Sequence, residues 1–254
     1  MISSKTLIAG RILFVGAHCD DIEIGCGGTA AKFAASGNQM AFAIATRDRD
    51  VMKAERRRAE AVKAATLLGL SETTETLFFG PFVHGELKQE DNKLREWLKL
   101  VCNKFNPDTV FIHREDAHTD HQAICKVGIG VFNTKDVLLY YIPQSAPEVA
   151  FEPHYAEDIS DFIEKKVDMC ACHASQPGDY VARDSVTTHS HTWYLHFYAR
   201  IQPREDGHAE AFIPHLLRSS LGGKASSNSG SGDAAMTYNL RLIKKADGTL
   251  RWED

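Results

Sequence analysis

Short apolar runs rich in β-branched and aromatic residues alternate along the chain with longer stretches of helical period. The runs are 11–17 (RILFVGA), 40–46 (MAFAIAT), 76–79 (TLFF), 108–113 (DTVFIH) and 137–142 (VLLYYI). Short runs with few polar positions suit strands buried on both faces of a parallel sheet. Between them lie TAAKFAAS, closed by Gly37, and an amphipathic stretch from about 51 to Leu68, stopped by Gly69. Residues 91–105 follow, ended by Asn106-Pro107, then about 120–132, then 160–175, opened by Ser160 as N-cap. Asparagine or glycine after the last apolar position, and serine before the first, are ordinary helix stop and start signals. Strands alternating with helices predict an α/β fold: a doubly wound, mostly parallel, Rossmann-like sheet with helices on both faces.

Past Ser175 the pattern loosens, and 192–201 and 209–217 each fit a strand or a helix. Residues 222–233 (GGKASSNSGSGD) read as a flexible linker, and the remainder as a hairpin turning at Asp247-Gly248. The expected organisation is one domain over 1–221 and an extension over 222–254.

Composition narrows the function classes. The 254 residues are 43% hydrophobic and 25% charged, enough for a core that needs no disulfides. Net charge is -5, and the densest basic cluster, Arg56-Arg57-Arg58, lies inside a helical pattern, which argues against a nucleic-acid partner. No apolar stretch approaches the ~20 residues of a membrane span, and the N-terminus lacks a signal-peptide layout. A cytoplasmic location is the expectation. The six cysteines show no paired C-x-x-C spacing and are expected to be reduced and mostly buried. Oligomeric state is not legible: a homo-oligomer stays open, with the terminal hairpin as an added strand or a small lid.

Two clusters carry chemistry. His18-x-Asp20-Asp21 follows the first strand, and His118-x-Asp120-His121 follows the fourth. In a sheet of order 3-2-1-4-5 those strands are neighbours, and their carboxyl ends meet at the topological switch point where ligands bind. A histidine and a carboxylate from the first cluster and a histidine from the second make three N/O ligands, the set a catalytic zinc uses while keeping a fourth position for water. Amide hydrolysis then needs a carboxylate to take the water's proton and an acid to protonate the departing amine. Asp20 is placed for the first task. His118 is placed for the second, if Asp120 or Asp116 holds its ring and raises its pKa.

The sequence resembles the PIG-L/LmbE-like deacetylases. Their A-H-P-D-D motif with a following Gly-Gly-Thr stands here as Ala17-His18-Cys19-Asp20-Asp21 and Gly27-Gly28-Thr29. Their later H-P-D-H stands as His118-Thr119-Asp120-His121. Arg57-x-x-Glu60 with Leu68-Gly69, His173-x-Ser175-Gln176 and Glu210-Ala211-Phe212 follow in the family's order. The resemblance covers roughly residues 10–215. It implies a zinc ion, or another divalent metal, on His18, Asp21 and His121, with Asp20 as general base and His118 as acid or electrostatic stabiliser. It also implies removal of an N-acetyl group from an N-acetylglucosamine-type sugar or conjugate.

Prolines in both family motifs are replaced, by Cys19 and Thr119, neither needed as a ligand. A family D-G-x-L turn appears as His84-Gly85-Glu86-Leu87, so His84, with Arg57, is expected at the substrate. The histidine-dense segment His189–His196 fits ordinary packing, a mobile loop over the cleft, or a second metal site. Two other functions stay open: an amidase acting on another sugar- or thiol-linked amide, and a sugar- or nucleotide-binding protein without catalysis.

Overall fold

The structure, a computed structural model, describes residues 8, 10–143, 145, 151–217, 241–244 and 250–253. Met1–Leu221 forms one compact unit and Gly222–Asp254 another. In the first, five strands run parallel: β1 (Arg11–Gly16), β2 (Gln39–Arg47), β3 (Leu77–Val83), β4 (Thr109–His113) and β5 (Asp136–Tyr140). Two more, β6 (Tyr155–Asp158) and β7 (Ala209–Leu216), pair antiparallel with each other, and β7 pairs antiparallel with β5. The sheet order is β3-β2-β1-β4-β5-β7-β6. The doubly wound α/β class expected from the pattern is therefore the observed one, with an antiparallel edge added.

The helices are α1 (Asp21–Ala35), α2 (Val51–Thr66), α3 (Asp91–Phe105), α4 (Thr119–Val131), α5 (Ile163–Ala171), α6 (Gly178–Val181) and α7 (Arg183–Phe197). They cover both faces of the sheet, which explains the unbroken apolar runs. Ile12 and Phe14 of β1 point to a core shared with Ile22, Phe33, Ala61 and Ile163 of α1, α2 and α5. Leu13 and Val15 point the other way, to Leu94, Leu98, Ile124 and Val127 of α3 and α4. Phe14 stacks on Phe111 with centroids 4.8 Å apart, fastening β1 to β4 in the first core.

The glycine-rich stretch after the first histidine cluster belongs to α1, which begins before the expected TAAKFAAS. Its helix is interrupted at Cys26, whose φ is -148°. The backbone N–H groups of Gly28 and Thr29 donate to Glu210 at 3.0 and 2.7 Å, and Lys166 Nζ donates to the Ile24 carbonyl at 2.7 Å. A buried Lys166–Glu210 pair thus replaces helix hydrogen bonds lost at the kink. A side chain at Gly28 would meet Ile159 Cδ1 at 2.4 Å, so glycine here permits close packing.

The sequence over 160–175 folds as a 3₁₀ turn (Ser160–Phe162) and then α5, shorter than expected. Of the two undecided segments, 192–201 falls partly in α7 and 209–217 is β7. In the second unit, β8 (Arg241–Lys244) and β9 (Leu250–Glu253) pair antiparallel. The linker 222–233 and the Asp247-Gly248 turn lie outside the described residues.

Candidate metal centre and its pocket

β1 and β4 are adjacent at the point where the winding reverses, and the segments leaving their carboxyl ends carry the two clusters. His18 Nδ1 lies 3.3 Å from Asp21 Oδ2 and 3.3 Å from His121 Nε2, and His121 Nε2 lies 3.5 Å from Asp21 Oδ1. These three donors, separated by about a hundred residues of chain, face one point.

Each histidine has its other nitrogen tied to a carboxylate. His121 Nδ1 meets Asp116 Oδ2 at 2.6 Å, and His18 Nε2 meets Asp120 Oδ2 at 3.1 Å. That is how a metal-binding imidazole is held: the outer contact sets the tautomer and the ring plane. Asp21 is held too, its Oδ2 accepting the His18 backbone N–H at 2.7 Å and lying 2.9 Å from His113 Nε2.

The electrostatics favour a cation at this point. Burial opposes charge on His18, yet Asp21, Asp120 and Asp20 outweigh it and hold the ring's pKa up at about 10. For His121, Asp21 and Asp116 overcome burial in the same way and raise it to about 9. Burial also works against the Asp21 carboxylate, but His113, His121 and His18 keep it well below the usual range. The donor set (two imidazoles and a carboxylate) suits zinc and other divalent ions of the first transition row.

Asp20 is buried beside this set, and burial together with the Asp21 charge pushes its pKa up to about 6. That is a value suited to exchanging protons near neutrality. His118 differs from expectation. Asp116 gives its oxygens to the His121 ring and to the His118 backbone N–H (2.7 Å), and the Asp120 carboxylate accepts from Gly85 N (2.6 Å) and Leu87 N (3.1 Å) besides meeting His18. Neither carboxylate holds the His118 ring. Instead His118 caps α4, its Nδ1 accepting the Asp120 backbone N–H at 3.2 Å. Burial and the neighbouring charges of His18 and His121 lower its pKa to about 4. A neutral ring whose Nδ1 accepts must carry its proton on Nε2, so His118 offers a hydrogen-bond donor rather than an imidazolium.

A cavity of about 300 Å³ opens over the centre, lined among others by Asp20, Arg57, His84, His118, Gln176 and Tyr180. Arg57 reaches it from α2, with Asp48 at 3.4 Å and Gln176 Oε1 at 3.4 Å. Glu60, one turn on, receives both the Ser175 backbone N–H (3.0 Å) and its hydroxyl (2.5 Å), so the Arg57-x-x-Glu60 and His173-x-Ser175-Gln176 motifs meet at the rim. His84 stands over His18, with ring centroids 4.3 Å apart. The histidines of 189–196 do not line this cavity. They sit on α7, where His189 Nε2 accepts from Trp193 Nε1 at 2.9 Å. The cysteines are free thiols; burial raises Cys19 to about 12, which makes it a poor nucleophile or ligand.

Sequence alone does not single out His113, and it leaves Asp116 as one of two candidates to hold the His118 ring; in the structure Asp116 meets the His121 ring instead. His113 ends the fourth strand at the switch point, and that position was its signal. Its burial behind Asp21 could be known only from the packing.

Fold and site together define a Rossmann-like α/β protein with a His/Asp metal-type centre at its switch point. Residues 13–132 match the PIG-L family model, described as GlcNAc-PI de-N-acetylase. It is 29% identical over 191 residues to a diacetylchitobiose deacetylase of Thermococcus kodakarensis, spanning 65% of this chain and 70% of that protein. Among solved structures it resembles the N,N'-diacetylchitobiose deacetylase of Pyrococcus horikoshii in complex with an inhibitor. That match has TM-score 0.62 and 22% identity, covering 84% of this chain and 85% of that one. It resembles equally the 4-carboxy-2-hydroxymuconate hydratase GalB of Pseudomonas putida, at TM-score 0.64 and 19% identity, over 87% and 100% of the two chains. These structural likenesses establish the fold; a deacetylase and a hydratase share it, so the reaction must be argued from the site.

Proposed function

We propose that the protein is a metal-dependent hydrolase that removes the N-acetyl group of an N-acetylglucosamine-type sugar or conjugate. The observation that carries this reading is the convergence of His18, Asp21 and His121, each steadied by an outer partner, with the ionisable Asp20 beside them. The acetylated-sugar substrate comes from the diacetylchitobiose deacetylase relative.

His18, Asp21 and His121 would hold a divalent ion, and zinc suits them. Such an ion supplies Lewis acidity, which brings the pKa of a water toward neutrality and polarises a carbonyl. Asp20 takes the proton of the attacking water. His118 donates from Nε2 toward the acetyl group. Because that ring is neutral and its Nδ1 is occupied, donation to the carbonyl oxygen as negative charge develops is its first task. Asp20, now protonated, returns the proton to the departing amine. This moves the amine-protonating step from His118, where the motif alone suggests it, to the carboxylate. Arg57 and Gln176 at the rim, with His84 opposite, would contact the sugar hydroxyls.

The test is acetate release from N-acetylglucosamine, N,N'-diacetylchitobiose and an N-acetylglucosaminyl conjugate. Acetate should appear with at least one of them, and Asp20→Asn should lose about 10²–10⁴-fold in kcat. Metal binding without acetate from any substrate, or an undiminished rate in Asp20→Asn, would overturn the reading.

A further inference from the structure

His18 presents its two ring nitrogens to two different sets of donors. Nδ1 faces Asp21 and His121, the centre described above. Nε2 faces a second group, made of His84, His118 and Asp120, whose ligand atoms and those of His18 all lie within 4.8 Å of one another. Ring centroids are 4.3 Å apart for His18–His84, 4.6 Å for His18–His118 and 5.3 Å for His84–His118.

This group is built into the fold. Asp120 is buried and accepts the backbone N–H groups of Gly85 and Leu87, so the turn that carries His84 is tied to the carboxylate. Gly85 has φ +83°, a left-handed conformation that glycine adopts without penalty, and this turns the segment so that His84 stands over the pocket. His84 and His118 both open to the cavity, within reach of an ion from solvent.

We infer that His84, His118 and Asp120 form a second, weaker site for a divalent transition-metal cation, and that filling it inhibits the enzyme. The inference rests on the first centre being the catalytic metal site. Two imidazoles and one carboxylate are a complete protein ligand set for zinc, with a fourth position left for water. Donor atoms on one tetrahedral ion stand about 3.3 Å apart, as follows from metal–nitrogen bonds near 2.0–2.1 Å. Small rotations of two pocket-facing rings close the present spacing. His18 does not join them, because a neutral ring cannot ligate through both nitrogens. The site is weaker for a structural reason: His118 must give up the hydrogen bond at Nδ1 to free Nε2, and Asp120 already has three partners. Inhibition has three sources. The second ion occupies His118. It draws Asp120 away from His18 Nε2, which loosens a ligand of the first ion. It also fills the space where the acetyl group would sit.

The test titrates metal-stripped, full-length protein with Co²⁺, followed by calorimetry and by visible absorption. Wild type should show one tight and one weaker equivalent. His84→Asn, which keeps size and polarity, and His84→Ala should each keep the tight equivalent and lose the weaker one. Separately, the rate with excess Zn²⁺ divided by the rate at one equivalent should fall several-fold in wild type and stay near unity in both variants. Saturation of wild type at a single equivalent, or two equivalents retained in both variants, overturns the second site and leaves the first reading standing. Absence of any tight equivalent overturns both. A His84→Asn enzyme inhibited by excess zinc as strongly as wild type also overturns the inference.

Discussion

Replacing Asp116 by asparagine removes one negative charge from behind His121 and changes the side chain's size very little. The carboxylate is buried, 2.6 Å from His121 Nδ1, and its other oxygen takes the His118 backbone N–H at 2.7 Å. Asparagine has one acceptor and one NH₂ donor where two N–H groups require two acceptors. One of those groups must then face a donor, so the ring loses either its charge-assisted contact or its fixed orientation. Loss of such an outer partner costs about 10–100-fold in metal affinity, or about 1.4–2.7 kcal/mol. The contact here is short and shielded from water, which places the expected loss in the upper part of that range. Affinity would be measured by competition with a chromophoric chelator at fixed pH, with a thermal melt of the metal-free protein as the control for folding. An affinity within twofold of wild type, in a variant that melts normally, would refute His121 Nε2 as a ligand positioned through Asp116.

Two further predictions concern stability. Lys166→Met strands the Glu210 charge in the core and should lower unfolding free energy by about 3–5 kcal/mol, with part recovered when Glu210→Gln is added; an unfolding free energy from urea denaturation lowered by less than about 1 kcal/mol would contradict the clamp at the α1 kink. Burial lowers His189 to about 4, below the 6.5 of an unfolded chain. Its neutral form therefore contributes stability above pH 6.5 that is lost as pH falls from 6.5 toward 4. His189→Gln should flatten the stability–pH curve over that window, measured by denaturation at each pH, and an unchanged slope would count against it.

Much of the fold was legible because its strands are buried on both faces. Phe14 and Val15 serve opposite cores, so the run reads as apolar at successive positions and a buried parallel strand is the natural interpretation. The antiparallel edge was not legible. In β6 (YAED) only Glu157 is well buried, and neither periodicity nor composition marks the strand. The start of α1 was hidden by its glycines, which normally disfavour a helix. They are accepted because Tyr140 and Ile159 pack against Gly25 and Gly28 and because Glu210 supplies hydrogen-bond acceptors from far along the chain. At the site, the proximity of the two His/Asp clusters could be inferred from strand order. The pairings within them could not. That Asp116 serves His121 and that Asp120 serves His18 and the His84 turn depend on side-chain directions that only the packed structure fixes. The same detail changes the part assigned to His118, since its Nδ1 is occupied by a backbone N–H two residues on.

No helix among the described residues is long and apolar enough to cross a membrane. The most direct test of the central claim is acetate release from N,N'-diacetylchitobiose by metal-stripped protein, measured as zinc is returned in substoichiometric steps. The account predicts no release at the start, then a rate that rises in proportion to zinc and breaks at one equivalent per chain. Undiminished acetate release from protein shown to be free of metal would contradict it.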